Sequence, residues 1–216
     1  AGCSVDEYDS GLIAIHERTR QNKEDDRARH VVQMRCQAEP IFLAYRTSAA
    51  VSALVDSITS DAPYVDFTAE DGVQHTLWKV TDPAALSAAF EPVPRLYVAD
   101  GHHRTKSASR ARVTLSEREG ELRTDASYNR VMAVVFPDDQ LDILPYNRVV
   151  LDLQGRTPGA VIAELTERFG ACPTETATPQ HQHSFAVYGD GAWHRFTLAP
   201  RGEGVIENLD VSLLQD

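Results

Sequence analysis

The segment from Arg95 to Gly120 constrains the fold most. Arg95 to Ala99 is a short β-compatible run that passes through Asp100-Gly101 into His102 to Glu119, a stretch of good helix formers closed by Gly120. A strand that turns through a glycine directly into a long helix belongs in a sheet with helices packed on it. The junction therefore predicts a mixed α/β (α+β) protein, a mixed sheet with flanking helices.

The rest of the chain extends that pattern. Leu12 to Ile15 is β-compatible and ends in the polar pair His16-Glu17. A helix follows, with Asn22 or Thr19 as cap, Asp25 and Asp26 in its first turns, and Ala28, Val31, Val32 and Cys36 as its inner face. Ile41 to Tyr45 reads as a strand, and Val51, Leu54, Val55 and Ile58 recur at helical spacing before Asp61-Ala62-Pro63. Val65 to Ala69 and Gln74 to Val80 flank Asp71-Gly72 as a hairpin, and Asp82 caps a short helix from Pro83 to Phe90. Val131 to Phe136 is continuously apolar, as in a strand buried on both faces, and a turn at Pro137 leads to a further strand over Leu141 to Leu151. Thr157-Pro158 opens a helix with Val161, Ile162, Leu165 and Phe169 inward, ending at Gly170; Ala171 to His183 is a loop. Ser184 to Tyr188 and Trp193 to Leu198 close the chain as a hairpin. At 216 residues one main core is expected over 1–216, with a subdivision, if any, near 120–130.

Composition narrows the partners. No apolar run approaches the ~18–20 residues that a membrane helix needs. Lys and Arg total 21 against 32 Asp and Glu, and a formal charge of −11 repels nucleic acid and anionic lipid, so a small-molecule ligand is favoured. Three scattered cysteines, Cys3, Cys36 and Cys172, suit neither a disulfide framework nor a zinc site and point to reduced thiols in a cytoplasm. A start at Ala1 without Met or a signal pattern suggests a segment of a longer protein.

Chemistry concentrates at Asp100-Gly101-His102-His103-Arg104. Gly101 permits a tight turn that exposes the N–H groups opening the next helix, a natural phosphate site. Arg104 adds a permanently charged fork, and His102 and His103 add donors that respond near neutral pH. Asp100 opposes an anion, which leaves it to bind Mg²⁺, orient a histidine or accept a hydroxyl proton. The bland alternative makes Asp100 a helix cap and the others solvated first-turn residues. Two histidines and an arginine at the positive end of a helix oppose its dipole, a cost that argues for function. Glu17, at the end of its strand, is a candidate base facing a ligand crevice, or else part of an ordinary surface pair with His16. Arg20, Lys23 and Arg27 share one helix face and can reach phosphate, unless they pair with Glu24 and nearby acids. Arg148 follows an apolar strand and joins the same crevice or serves structure alone. His75 and Trp78 lie on opposite faces of their strand, one core and one exposed.

Tyr97-Val98-Ala99-Asp100-Gly101-His102-His103-Arg104, with Tyr8-Asp9-Ser10-Gly11 and His16-Glu17-Arg18-Thr19-Arg20, resembles the bacterial and archaeal family catalogued as domain of unknown function ten-fifteen. The resemblance covers nearly the whole chain, including Asp71-Gly72, His75, Leu77-Trp78, Ile143-Leu144-Pro145 and Leu209-Asp210-Val211-Ser212, and implies a middle segment of a longer family protein. Where the family usually has Thr-His after Pro145, this chain has Tyr146-Asn147. The turn with an upstream glutamate is also similar to the nucleotide site of free-serine kinases, which share a fold with the ParB nucleotide-binding domain and sulfiredoxin. That likeness implies Gly101 and Arg104 on phosphate, Glu17 as base, and Arg20 in the place of the arginine that follows the ParB glutamate; the chemistry of the turn itself adds His102 as a phosphate donor and His103 and Asp100 as catalytic candidates. It implies ATP or ADP with Mg²⁺ and an acceptor such as serine. Two functions compete: a nucleotide-dependent phosphotransferase, and a nucleotide- or phosphate-binding regulatory module without turnover. DNA partitioning is disfavoured by the charge, and a sulfiredoxin-like reductase by the lack of a cysteine in the turn.

Overall fold

The computed structural model describes residues 1–121, 123–144 and 147–214. The chain forms two compact units, Ala1–Asp142 and Ile143–Asp216. The segment before β7 is tied into the first unit: Tyr128 is buried and its hydroxyl donates to Glu119 Oε2 at 3.2 Å.

In the first unit the elements run β1 (Gly2–Ser4), α1 (Val5–Asp9), β2 (Ile13–Ala14), α2 (Gln21–Met34), β3 (Ile41–Tyr45), α3 (Ala49–Thr59), β4 (Val65–Thr68), β5 (Gln74–Leu77), α4 (Pro83–Phe90), β6 (Leu96–Asp100), α5 (His102–Glu119) and β7 (Arg130–Pro137). Five strands make a mixed sheet in the order β1-β7-β3-β6-β2. The β3–β7 and β2–β6 pairs are parallel, and β1–β7 and β3–β6 are antiparallel. A fully buried layer of Ile13, Ile41, Leu43, Val98, Val131 and Ala133 meets Ala108 of α5. Each large aliphatic side chain of that layer contributes roughly 1.5–3 kcal/mol when withdrawn from water. A second cluster, Val32 with Ala111, Leu115 and Tyr128, seals α2 against α5. Small residues along α5, Ser107, Ala108 and Ala111, leave room for that close packing.

Several sequence expectations change here. Val131 and Ala133 are 2% exposed but Val134 is 41%, so β7 buries one face, the one that meets Ala108 of α5, and leaves the other open. Helix α2 is capped by neither Asn22 nor Thr19: it starts after Arg20, and Thr19 donates instead to the Glu24 carboxylate. Glu24 and Val32 are its buried residues, whereas Cys36 lies beyond the helix and is exposed. The Asp71-Gly72 hairpin forms as a separate two-stranded sheet in which His75 is exposed and stacks on Phe67 at 5.1 Å, while half-buried Trp78 lies past the strand and donates to the Asp61 carbonyl at 2.9 Å.

The second unit holds α6 (Pro158–Phe169), β8 (Cys172–Thr174), β9 (Ser184–Gly189), β10 (Ala192–Thr197) and α7 (Asp210–Leu214). Its sheet has the order β8-β10-β9. The Thr157 hydroxyl caps α6 by accepting from the Ala160 N–H at 3.2 Å, and left-handed Gly170 ends it, as the sequence indicates. Phe196 is buried between Phe169 and Phe185. Strand β8 forms inside the expected 171–183 loop, and Leu141 to Leu151 forms no strand among its described residues: Ile143 is 99% exposed, so its apolar pattern is left without a partner strand. Pro145 and Tyr146 lie outside the described residues. Among those described, no helix is long and apolar enough to cross a membrane.

Candidate functional site

Strand β6 delivers the chain to Gly101, which adopts φ +95° and acts as N-cap of α5. A Cβ there would lie 3.0 Å from Ile41 Cγ2 in a left-handed backbone, so glycine is needed for both reasons. The first intrahelical bond runs from the Thr105 N–H to the Gly101 carbonyl at 2.9 Å. The N–H groups of His102, His103 and Arg104 therefore have no acceptor within the helix and sit at the positive end of its dipole.

Topology brings Glu17 to this turn. Because β2 runs parallel to β6, with Ile13 opposite Leu96 and Ala14 opposite Tyr97, both strands release their chains at the same edge of the sheet. His16 then meets His102 edge to face at 4.4 Å between ring centroids, and Glu17 Oε2 stands 3.7 Å from His102 Nδ1. His102 is only 4% exposed, its Nε2 is buried without a hydrogen-bond partner among the described residues, and burial presses its pKa below the ordinary histidine value. The neighbouring His16 and His103 act in the same direction, while Glu17 and Asp100 act against it. Burial thus favours the neutral imidazole. Glu17, Arg27, Asp100, Gly101, His102, His103 and Arg104 line one cavity of about 120 Å³.

The two polar residues after His102 hold the fold together. His103 Nε2 accepts the Arg20 N–H at 3.0 Å, fastening the start of α2 to the start of α5. Arg104 is held by Asp100 and Glu39, with Nη1 donating at 3.1 Å to Glu39 and at 2.6 Å to the Pro40 carbonyl. Its fork is thus already occupied by carboxylates and a carbonyl. Arg27, by contrast, makes no hydrogen bond or ion pair among the described residues and faces the cavity. Arg20 contributes its backbone and is not part of the cavity wall, and Arg148 belongs to the second unit. Glu24, the carboxylate expected to pair with the α2 cations, is buried and joined to Arg110 of α5 at 3.1 Å, which leaves Lys23 and Arg27 to other roles.

Glu39 is the residue that sequence patterns do not single out. Its signal is topological: β3 runs antiparallel to β6, so the residue leading into β3 arrives where β6 ends. For metals, no group of three or more His, Cys, Asp or Glu suited to an ion exists among the described residues. Asp100 could supply one oxygen, since Arg104 engages Oδ2 and leaves Oδ1 without a protein partner among the described residues.

Residues 1–212 match the model of the family described as protein of unknown function (DUF1015), and the chain belongs to that family. Neither the curated proteins nor the solved structures give a match.

Proposed function

We propose that this protein is a nucleotide-dependent phosphotransferase that binds nucleotide phosphates at the first turn of α5 and transfers a phosphoryl group to a small hydroxylated metabolite such as serine. The observation that supports it is the shared cavity: the Glu17 carboxylate, the open Arg27 guanidinium and the start of α5 face the same space of about 120 Å³. Phosphoryl transfer asks a protein chiefly for positioning and charge neutralisation. Backbone N–H groups and Arg27 meet the phosphate oxygens, and Arg104 serves by fixing Asp100 and Glu39. Glu17 takes the proton of the acceptor hydroxyl; that oxygen forms its bond to phosphorus as the bond to the departing nucleotide oxygen breaks. Asp100 fits a Mg²⁺ ion otherwise held by phosphates and water, because that ion commonly takes one or two carboxylates and keeps several waters.

The test separates binding from turnover. Glu17→Gln should retain ATP affinity, measured calorimetrically, yet lose ~10²–10⁴-fold in phosphate transfer to serine and related alcohols. A loss smaller than about twofold would remove Glu17 as the base. The second reading, a phosphate-responsive binding module, is favoured by one observation: His103 and Arg104 are both committed to contacts within the protein. Tight binding with no transfer to any acceptor would establish that reading.

A further inference from the structure

The cavity at the Asp100 turn is small. Its volume of about 120 Å³ suits phosphate groups, well below the ~300–1,000 Å³ typical of sites that enclose a whole small ligand. Beside it, sharing Arg27 and Arg104, lies a larger cavity of about 340 Å³ in the cleft between α2, α5 and the 36–39 segment. Its apolar wall consists of Val31, Met34, Ala38, Ala108 and Val131. Resting on the phosphate reading above, we propose that this cleft takes the nucleoside of the bound nucleotide, with the phosphates passing between Arg27 and Arg104 to the first turn of α5.

The residues around the two cavities support the assignment. The two cavities have Arg27 and Arg104 in common, so one ligand can span them. The wall is largely aliphatic, and Met34 adds a polarisable thioether suited to a flat ring. Two of its polar members are already committed: Gln37 donates to the Arg130 carbonyl at 2.8 Å and accepts from Met132, and the Ser107 hydroxyl donates to the Glu24 carbonyl at 3.2 Å. They do not demand a polar occupant. Glu39, at the junction with Arg104, retains acceptor capacity for ribose hydroxyls, because a carboxylate can take about four hydrogen bonds and Arg104 uses one. Glu17 lines the small cavity and not the cleft, so the acceptor and the nucleoside have separate places around the phosphates.

Calorimetric titration of the full chain with ATP and with inorganic tripolyphosphate tests the proposal. Val31→Phe narrows the cleft and replaces neither Arg27 nor Arg104, and Ala38→Leu does so from an exposed position if the first variant unfolds. In a variant that keeps the wild-type melting profile, ATP affinity should fall about tenfold or more, while tripolyphosphate affinity stays within about twofold. Unchanged ATP affinity, or equal losses for both ligands, overturns the nucleoside site and leaves the phosphate site standing. Failure of tripolyphosphate to bind the unaltered protein removes the phosphate reading and this inference with it.

Discussion

Arg104 and Arg27 differ in how far the protein itself occupies their guanidinium groups. Arg104 follows closely on the glycine turn, yet it is committed to Asp100, Glu39 and the Pro40 carbonyl, two of them contributed by a segment distant in the chain. An anion would have to compete with carboxylates for that guanidinium. Arg27, one of three cations on a helix face, has no such competitor among the described residues. Arg27→Ala should therefore weaken ATP and tripolyphosphate alike by roughly 10–150-fold, the ~1.5–3 kcal/mol of a charge-assisted hydrogen bond. Its melting temperature should barely change, since no hydrogen bond or ion pair among the described residues is lost. Calorimetry and thermal melting together decide it, and a variant that binds phosphate as tightly as the wild type would leave Arg27 an ordinary surface charge. The importance of the turn is legible in the sequence, because a glycine between a strand and a helix has a local cause. The state of Arg104 is not, because Glu39 reaches it only through the antiparallel pairing of β3 with β6.

At the scale of elements, the site exists because β2, β6, α2 and α5 are held in register. The parallel β2–β6 pair places His16 and Glu17 beside the start of α5, and His103 joins that start to α2. Propensity and the two bracketing glycines are enough to give α5 its observed ends. Local capping rules misplace the start of α2, because Thr19 is drawn away by the buried Glu24, itself held by Arg110 of α5. His102 lies where β2 exits and α5 begins, and there the stability acquires a pH dependence. Burial lowers its folded pKa, so the unfolded chain binds a proton more readily than the folded one. Its contribution is thus fully present above the unfolded value of ~6.5 and is lost as the pH falls below that value toward the folded pKa. Urea unfolding should show a lower midpoint at acid pH than at pH ~7.5, with the difference reduced in His102→Gln. An unreduced difference in that variant would assign the acid sensitivity to other groups.

At the scale of the whole molecule, the decisive boundary lies at 142/143. Leu141 to Leu151 carries the apolar pattern of a strand, yet Ile143, Leu144, Val149, Val150 and Leu151 are exposed, so the sequence pattern alone gives no reason to divide the chain there. Every side chain lining the two cavities belongs to the first unit, as do both buried clusters that support them. Arg148, assigned to the phosphate crevice on sequence grounds, belongs to the second. A 1–142 fragment retains the five-stranded sheet and α5, and at this size a single core is sufficient for cooperative folding. It should unfold in one transition and bind ATP within about threefold of the full chain, because no cavity-lining group is removed. Side-by-side calorimetry of fragment and full chain checks this, and an Arg148→Ala variant of the full chain checks the same point without truncation. If the fragment folds but loses ATP, and Arg148→Ala loses it too, the phosphate site draws a residue from the second unit and the assignment of the site to 1–142 is wrong.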